Sequence, residues 1–380
     1  MTFRSKGMIG AIVLCCARMV SAQEMIVRIG DVGPTSGGAA HLGKDAQNGA
    51  RMAIEDLNAK AMTIGGRRIK FELLAEDDAG DPKQGVAVAQ KLVDSKVSGV
   101  IGHLNSGTSI PASLIYRDAG IPQISPAATN PKFTRNGYKT AFRVVADDVQ
   151  LGGALGRYAV NRLQSKSIAV IDDRTAYGQG LAEEFEKAVK SAGGTIAARQ
   201  FTTDKATDLM AVLTAFKEVK PDLIFFGGMD AVAGPMLRQM KQLGIAAAFM
   251  GGDGLCTGEL PKLAGGTMTD GQVICAESGG VEGSERSGMN EFRARYKAKF
   301  GQDVQVYAPY AYDAVNVMAA AMAKADSVEP GRYLQTLAAT TGYKGVTGTI
   351  AFDAKGDLTN GAVSLFTYKQ GSREQVAVVR

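Results

Sequence analysis

The chain has few of the residues that usually carry enzymatic chemistry. Only two histidines, His41 and His103, occur among its 380 residues, and their spacing is not the H-E-x-x-H of a zinc enzyme. A G-x-S-x-G nucleophile elbow is absent, and GGDGLCT at 251–257 lacks the third glycine of a dinucleotide fingerprint. These absences disfavour an enzyme, and we expect neither a metal nor a cofactor. Catalysis by a free Cys256 or Cys275 is the alternative that they leave open.

Clusters of one charge, repeats and low-complexity segments are also missing. Charged residues make up 21% of the chain and hydrophobic residues 45%, which is typical of a soluble globular protein and disfavours extended disorder. No Lys/Arg cluster follows one helix, so the pI of 8.9 does not indicate a nucleic-acid partner. The length of 380 residues suits about two domains.

The first 22 residues have the pattern of a secretory signal peptide. Arg4 and Lys6 precede an apolar run over 8–17, and the small residues VSA lead to a cleavage site near Ala22. The apolar run is too short to span a bilayer. Removal of this segment reduces the 43 basic residues to 40, against 38 acidic ones, so the exported protein is nearly neutral. The alternative interpretation is a buried N-terminal helix.

Export also bears on the four cysteines. Cys15 and Cys16 leave with the signal peptide, and the mature chain keeps Cys256 and Cys275, an even pair in an oxidising compartment. We expect this pair to form a disulfide, which would close a loop of about 20 residues and stabilise the fold by about 3 kcal/mol. Two inert buried thiols are the alternative.

From Met25 onward, short β-branched or aromatic runs alternate with helical stretches. In DPKQGVAVAQKLVDSK (81–96), Asp81 caps a predicted helix and Pro82 fits its first turn. The predicted apolar face of this helix consists of Val86, Ala89, Leu92 and Val93. Repeated β-α units predict an α/β fold, and a break near 143–148 predicts two doubly wound parallel-sheet lobes. The end of the chain (TGTIAFD, AVSLFTY, EQVAVVR) is antiparallel in pattern.

Small and polar residues stand where several predicted strands end. In open parallel sheets, ligands bind beyond the carboxyl ends of the strands, where helix N-termini point. The positions are Ser106 and Thr108 after VSGVIGH, Ala127, Ala128 and Thr129 after IPQIS, Tyr177 after SIAVIDD, Met229 and Asp230 after DLIFFGG, and Asp253 after AAAFMGG. Hydroxyls, free backbone groups and one carboxylate suit a zwitterion with an apolar tail. Taken singly, each is more often a helix cap or turn residue.

Several segments together resemble one family. DDAGDPKQGVAVAQKLV, VIGHLNSGTSIPASLIY, ISPAATNP, DRTAYGQGLAEEF, FMGGDG and YAPYAYDAV are similar to segments of the periplasmic Leu/Ile/Val-binding proteins, the branched-chain amino-acid receptors of bacterial ABC importers. The resemblance implies the type I periplasmic binding protein fold, with two lobes joined by three crossovers and a ligand cleft between them. It places the first lobe at 24–146 plus 278–357 and the second at 147–277 plus 358–380.

The same resemblance implies ligand contacts by position. The hydroxyls of Ser106 and Thr129 match the family's contacts to the ligand carboxylate, and the Ala127 carbonyl and Thr129 match its contacts to the ammonium. Asp253 falls at the family's acidic partner for that ammonium, one methylene shorter than the glutamate of the best-known member. Tyr177 matches an aromatic cover and Tyr307 an aromatic wall. The other expected site residues are Leu42, Asn105, Ala128 and Met229.

Departures from the family pattern concern the side-chain pocket and one disulfide. Leu42 and Met229 stand where the family has aromatics, which predicts a softer pocket, and Gly80 and Asn105 stand where the best-known member has cysteines. We expect a monomeric periplasmic receptor that closes over an apolar, branched-chain L-amino acid. It would deliver this ligand to the membrane permease subunits of an ABC importer. A sensor or receptor for another amino acid or an amide is the alternative with the same fold.

Overall fold

The computed structural model describes residues 24–281, 283, 286–359 and 361–379. The predicted signal peptide, with Cys15 and Cys16, lies outside these residues. In these ranges none of the helices combines the length and hydropathy that a membrane span requires.

The first part of the chain forms six strands and four helices. In order these are β1 (Met25–Gly33), α1 (Ala40–Ala59), β2 (Thr63–Ile64), β3 (Arg67–Asp77), α2 (Pro82–Asp94), β4 (Gly99–Gly102), α3 (Ser106–Asp118), β5 (Gln123–Ser125), α4 (Lys132–Arg135) and β6 (Ala141–Arg143). The strands build the first sheet in the order β2-β3-β1-β4-β5-β6. This sheet is parallel apart from the short β2–β3 pair.

The next elements build a second sheet. They are α5 (Asp148–Asn161), β7 (Ile168–Asp172), α6 (Ala176–Ser191), β8 (Ile196–Phe201), α7 (Met210–Val219), β9 (Leu223–Gly227), α8 (Asp230–Gln242), β10 (Ala248–Gly251), a 3₁₀ turn (Asp253–Leu255), α9 (Leu260–Leu263) and β11 (Val273–Glu277). The chain continues with α10 (Arg286–Phe300), α11 (Ala308–Lys324), α12 (Pro330–Ala338), β12 (Tyr343–Gly345), β13 (Gly348–Ile350), β14 (Val363–Lys369) and β15 (Ser372–Val379). The second sheet has the order β15-β14-β11-β10-β9-β7-β8, with β14 and β15 antiparallel.

Each sheet lies between two helical layers. Helices α1 and α11 cover one face of the first sheet and α2 and α3 the other, while α5 and α6 lie opposite α7 and α8 on the second. We call the first sheet with α1–α4 and α10–α12 the first half, and the second sheet with α5–α9 the second half. The chain passes between them after β6, β11 and β13. The predicted α/β architecture is confirmed, while the residue boundaries of the lobes stay a prediction.

Helix α2 shows how far the local pattern specifies an element. Asp81 is its N-cap and accepts two backbone N–H groups, and Pro82 is its first residue, as predicted. The buried residues are Gly85, Val88, Ala89 and Leu92. Val86 and Val93, which we expected on the buried face, are only half-buried. Val88 joins the apolar cluster with Val32 and Val100 of the sheet and Val93 packs at the edge of this cluster, whereas Val86 lies outside it, which the helical period alone does not reveal.

Cys256 and Cys275 form a disulfide that ties the segment after β10 to β11. Both cysteines are buried, and the disulfide confirms the predicted pairing over two free thiols. We expect the double variant Cys256→Ala/Cys275→Ala to lose about 2–4 kcal/mol of unfolding free energy, because the unfolded chain regains the freedom of a closed loop. Denaturant titration of the variant beside the oxidised parent measures this. Equal stability of the two proteins would contradict a stabilising role for the bond.

Candidate functional site

Asp253 lies at the centre of a buried hydrogen-bonded cluster. It follows β10, begins the 3₁₀ turn and is only 1% exposed. The Tyr177 hydroxyl donates to Asp253 Oδ1 at 2.8 Å, and the Tyr307 hydroxyl donates to Oδ2 at 3.1 Å. The Gly254 N–H donates to the Tyr177 hydroxyl at 3.0 Å. The structure thus brings three of the predicted site residues into direct contact.

Helix N-termini hold both tyrosines. Tyr177 is the second residue of α6, whose first turn is capped by the side chain of Thr175. Tyr307 immediately precedes α11, and its backbone N–H donates to Asp45 of α1 at 2.7 Å. Tyr307 belongs to the first half and Asp253 to the second, so their hydrogen bond joins the two halves.

The segment ISPAATNP continues from β5 as a loop of small residues, and hydrogen bonds with Ser125 and Arg143 hold its backbone in place. Ser125 Oγ accepts the N–H of Ala128 at 2.8 Å. Arg143 donates to the carbonyls of Ala128 at 2.5 Å and Asn130 at 3.0 Å. Thr129 lies between these two anchored carbonyls. Its buried hydroxyl makes no hydrogen bond of ordinary geometry with the described residues, although it lies close enough to the Asp148 carboxylate to lower the pKa of that acid. The loop therefore presents one hydroxyl on a backbone that is held on both sides.

Two further polar groups border Thr129. Ser106 is buried at the start of α3, and its Oγ accepts the N–H of Asn130 at 3.2 Å. The Ala127 carbonyl accepts no hydrogen bond from the described part of the chain. These groups retain hydrogen-bonding capacity at the end of β5, where the sequence predicts a ligand head group.

Two further predicted site residues, Asn105 and Ala128, lie at the start of α3 and in the loop after β5. Asn105 is the N-cap of α3 because its backbone is extended (φ −78°, ψ 141°), so Ser106 lies one position inside the helix. Asn105 Oδ1 is near Gly80, where an added β-carbon would lie 3.8 Å from it. Ala128 packs in a separate apolar cluster with Phe133.

Asp148 is a buried acid that the sequence reasoning missed. Its N–H donates to the Thr129 carbonyl at 2.9 Å, and within the described ranges neither carboxylate oxygen has a hydrogen-bond partner of ordinary geometry. Burial raises the pKa of Asp148 well above its usual range; the neighbouring Thr129 hydroxyl opposes this rise and the charge of Asp253 adds to it. A capping box of Asp147 and Gln150 accounts for the first of two adjacent acids. Asp148, the second of these acids, has no role in the capping box, and this could have marked it in the sequence as a candidate site residue.

Burial dominates the electrostatics of the cluster. It raises the pKa of Asp253 to about 6, although the hydrogen bonds from Tyr177 and Tyr307 act in the opposite direction. Burial and the charge of Asp253 raise the pKa of both tyrosines well above the usual value, so they remain protonated donors. A cation beside Asp253 would stabilise the ionised carboxylate and lower its pKa.

Apolar side chains border the cluster on one side. Leu42 is fully buried and shares an apolar cluster with Ala127 and Tyr307. Met229 packs against this cluster from the second half. A β-carbon on Gly254 would lie 3.1 Å from Met229 Sδ, so the methionine also borders the Asp253 turn. Both residues that replace expected aromatics thus lie beside the head-group region.

The two halves contact each other around these residues. Asn130 Nδ2 donates to the Ala176 carbonyl at 2.6 Å, and His41 Nε2 lies 2.8 Å from Asp230 Oδ2. Two adjoining cavities of about 250 and 220 Å³ lie near the crossovers, where Tyr310 lines both of them. No predicted site residue lines either cavity. The two halves are therefore in direct contact on this side of the molecule.

His103, Cys256 and Cys275 are each engaged in other contacts. His103 is fully buried, with Nδ1 2.8 Å from Asp78 Oδ2 and Nε2 3.1 Å from the Tyr116 hydroxyl. Cys256 and Cys275 are joined as a disulfide and offer no thiolate. In the described part of the chain, no group of three or more histidine, cysteine, aspartate or glutamate residues is placed to hold a metal ion.

Comparison with known proteins agrees with this arrangement. A family model described as periplasmic binding protein matches residues 26–373. The leucine-, isoleucine-, valine-, threonine-, and alanine-binding protein of Pseudomonas aeruginosa is 34% identical over 351 residues, which is 92% of each chain. The leucine-specific-binding protein of Salmonella typhimurium is 33% identical over 368 residues, or 97% of each chain.

Solved structures show the same similarity. The branched-chain amino acid transporter substrate-binding protein LivJ of Streptococcus pneumoniae, in complex with isoleucine, matches with a TM-score of 0.84 and 28% identity, covering 93% of this chain and 99% of that one. The leucine-binding protein LivK of Thermotoga maritima has the same TM-score of 0.84 at 26% identity, over 93% and 98% of the two chains. These relatives are binding proteins and not enzymes, and they confirm the resemblance and the type I fold. The chain belongs to the periplasmic binding protein family.

Proposed function

We propose that this protein binds a free apolar L-amino acid, preferably branched-chain, between its halves and delivers it to the membrane permease subunits of an ABC importer. The observation that carries the proposal is the buried Asp253 carboxylate, held by two tyrosines, with the buried hydroxyl of Thr129 in the same region beside Asp148. The relatives named above, which bind leucine and other amino acids, support the same ligand class. In this proposal the protein is an exported periplasmic monomer with lobes at 24–146 plus 278–357 and 147–277 plus 358–380.

The head group of the ligand would use the two polar sides of the cluster. Its ammonium would bind Asp253 from the second half and the Ala127 carbonyl from the first. Its carboxylate would accept hydrogen bonds from the hydroxyls of Ser106 and Thr129. Burial favours the neutral form of Asp148, so that a single negative charge faces the single positive charge of the ligand.

The ligand side chain would lie against Leu42, Met229 and Tyr307. The first two residues are purely apolar, and methionine adapts to ligands of different shape. A pocket of this kind distinguishes ligands that differ by one methylene by about 1–3 kcal/mol. We therefore expect several apolar amino acids to bind, with affinities that fall as the side chain shortens.

Closure would complete the site. The Tyr307 and Asp253 side chains come from different halves, and Asn130 Nδ2 bonds to the Ala176 carbonyl across the same boundary. A ligand that contacts both halves has a higher affinity for the closed form and shifts the population toward it.

Isothermal titration calorimetry against the protein amino acids tests the proposal. We expect leucine, isoleucine or valine to bind with a Kd well below about 1 mM. A Kd of about 1 mM corresponds to a favourable binding free energy of about 4 kcal/mol. Leucine amide is the matched control, because it keeps the ammonium and side chain but loses the carboxylate. Equal binding of leucine and its amide would contradict the Ser106 and Thr129 contacts and favour an amide receptor. Absence of binding by every amino acid would overturn the proposal.

The affinity should also fall in acid. The pKa of Asp253 is raised to about 6 without a ligand, and only the ionised carboxylate attracts an ammonium. The contribution of Asp253 to the affinity should therefore be constant at pH values above about 6. Well below pH 6, the affinity should fall by up to about tenfold for each pH unit. Calorimetry with leucine at several pH values measures the effect, and Asp253→Asn should remove it. A constant Kd in the parent protein down to about pH 4.5 would contradict the assignment of Asp253.

A further inference from the structure

His41 and Asp230 form a contact between the two halves that the proposed ligand contacts do not use. His41 lies on α1 of the first half, and its Nε2 is 2.8 Å from Oδ2 of Asp230, the first residue of α8 in the second half. Thr257 Oγ1 donates to the same carboxylate oxygen at 2.6 Å. Asp230 Oδ1 is buried and has no hydrogen-bond partner among the described residues, so this carboxylate depends on the contacts of Oδ2 with His41 and Thr257.

The position of this pair couples it to closure. Its residues adjoin Leu42 and Met229, which we expect to contact the ligand side chain. The Asp230 side chain is fully buried, whereas the His41 side chain is 24% exposed at the boundary between the halves. Because the two partners belong to different halves, separation of the halves must break the contact and return the imidazole to water.

We propose that His41 and Asp230 form a latch, a pair that stabilises the closed form selectively and thereby makes ligand affinity dependent on pH. This inference rests on the proposed function, since the latch contributes to affinity only if ligand binding requires closure. His41 is in this account an affinity-determining residue that does not touch the ligand.

The charges around the imidazole set the sign of the effect. Burial alone would lower the pKa of His41, but the hydrogen bond and charge of Asp230 raise it above the ordinary value. Glu259 from the second half and Asp45 from α1 act in the same direction. In the open form we expect the ordinary pKa of about 6.5. The closed form therefore binds the proton more tightly.

Linkage then fixes the pH window. The contribution of the latch to closure is fully present below the open-form pKa of about 6.5 and is lost as the pH rises through the higher pKa of the closed form. For a partly exposed charged pair, we expect the Kd to rise by about three- to tenfold across this window. Asp253 acts in the opposite direction, since its protonation weakens binding in acid.

The test separates these two effects with a matched variant. His41→Gln retains a side-chain donor toward Asp230 but does not titrate. Leucine Kd values are measured from about pH 6 to about pH 8.5 for the parent protein and the variant, and their ratio at each pH cancels the Asp253 contribution. The control Glu76→Gln removes an ion pair with Lys91 that lies within the first half, and should leave the pH dependence unchanged.

A second measurement follows the histidine itself. The chain has only two histidines, so the ring protons of His41 can be assigned by NMR and titrated in the parent protein and in Asp230→Asn. We expect the pKa of His41 to rise when leucine binds, and to rise less in Asp230→Asn.

The outcomes distinguish the latch from the proposed function. Leucine binding with a parent-to-variant Kd ratio that does not change with pH would overturn the latch and leave the proposed function standing. If no amino acid binds, the proposed function fails, and the latch is then tested by the NMR titration of His41 in the unliganded protein. An identical His41 pKa in the parent and in Asp230→Asn would then overturn it.

Discussion

Replacing Asp253 with alanine is expected to weaken leucine binding by about 100- to 1,000-fold, or about 3–4 kcal/mol. The ligand ammonium would be buried in the closed form without its anionic partner, and the cost of removing that charge from water would no longer be offset. Calorimetry of the purified variant at neutral pH measures the loss. The fold should tolerate the change, because burial already disfavours the ionised carboxylate, as its raised pKa of about 6 shows.

Conservative variants separate the charge from the surrounding hydrogen bonds. Asp253→Asn keeps the shape of the side chain and should lose nearly as much affinity as the alanine variant. Tyr177→Phe and Tyr307→Phe each remove one hydroxyl that donates to Asp253, and should cost only about 1 kcal/mol of binding free energy. Parent-like affinity in Asp253→Asn would show that the ammonium binds elsewhere.

Replacing Arg143 with methionine is expected to lower the unfolding free energy by about 3–5 kcal/mol and to abolish tight leucine binding. Arg143 is fully buried, and its Nε donates to Asp357 Oδ1 at 2.7 Å. Its Nη atoms also hold the carbonyls of Ala128 and Asn130 on either side of Thr129. The variant would leave the Asp357 carboxylate with the Thr134 hydroxyl and with Arg135 at 3.9 Å as its remaining partners, and would release the loop that presents the Thr129 hydroxyl.

A second substitution tests whether these two effects are separate. Arg143→Met/Asp357→Leu also removes the Asp357 carboxylate and should recover much of the stability, but not the affinity, because the loop carbonyls still lack their donor. The exposed pair Lys297–Asp303 gives a surface control, and Lys297→Met should change stability by less than about 0.5 kcal/mol. Denaturant titration and calorimetry on the same samples measure both quantities. Recovery of full affinity in the double variant would contradict a positioning role for Arg143.

The sequence predicted what depends on local pattern and on strand order. Alternating β-α segments were sufficient to predict two mostly parallel sheets, because apolar strands followed by capped helices have few other arrangements. Asp253 and Tyr177 could be proposed together because both follow strands whose carboxyl ends meet at one edge of the second sheet. Their contact through a hydrogen bond of 2.8 Å is a finding of the structure. Their roles toward a ligand stay a prediction.

Other features of the site depend on packing between segments far apart in the chain. Arg143 and Asp357 are separated by 214 positions, and His41 and Asp230 by 189, so no local pattern links either pair. Asp148 was hidden for a different reason, because it follows an N-cap aspartate and looks like part of the same cap. Buried charged groups of this kind are identified only when the three-dimensional surroundings of each side chain are known.

A crystal structure of the protein with bound leucine tests the central claim most directly. We expect the ligand ammonium within hydrogen-bonding distance, about 3 Å, of the Asp253 carboxylate and the Ala127 carbonyl. The ligand carboxylate should lie against the hydroxyls of Ser106 and Thr129, with the side chain toward Leu42 and Met229. Leucine in the reverse orientation, or bound in a cavity beside the crossovers while Asp253 keeps only its two tyrosines, would contradict the account.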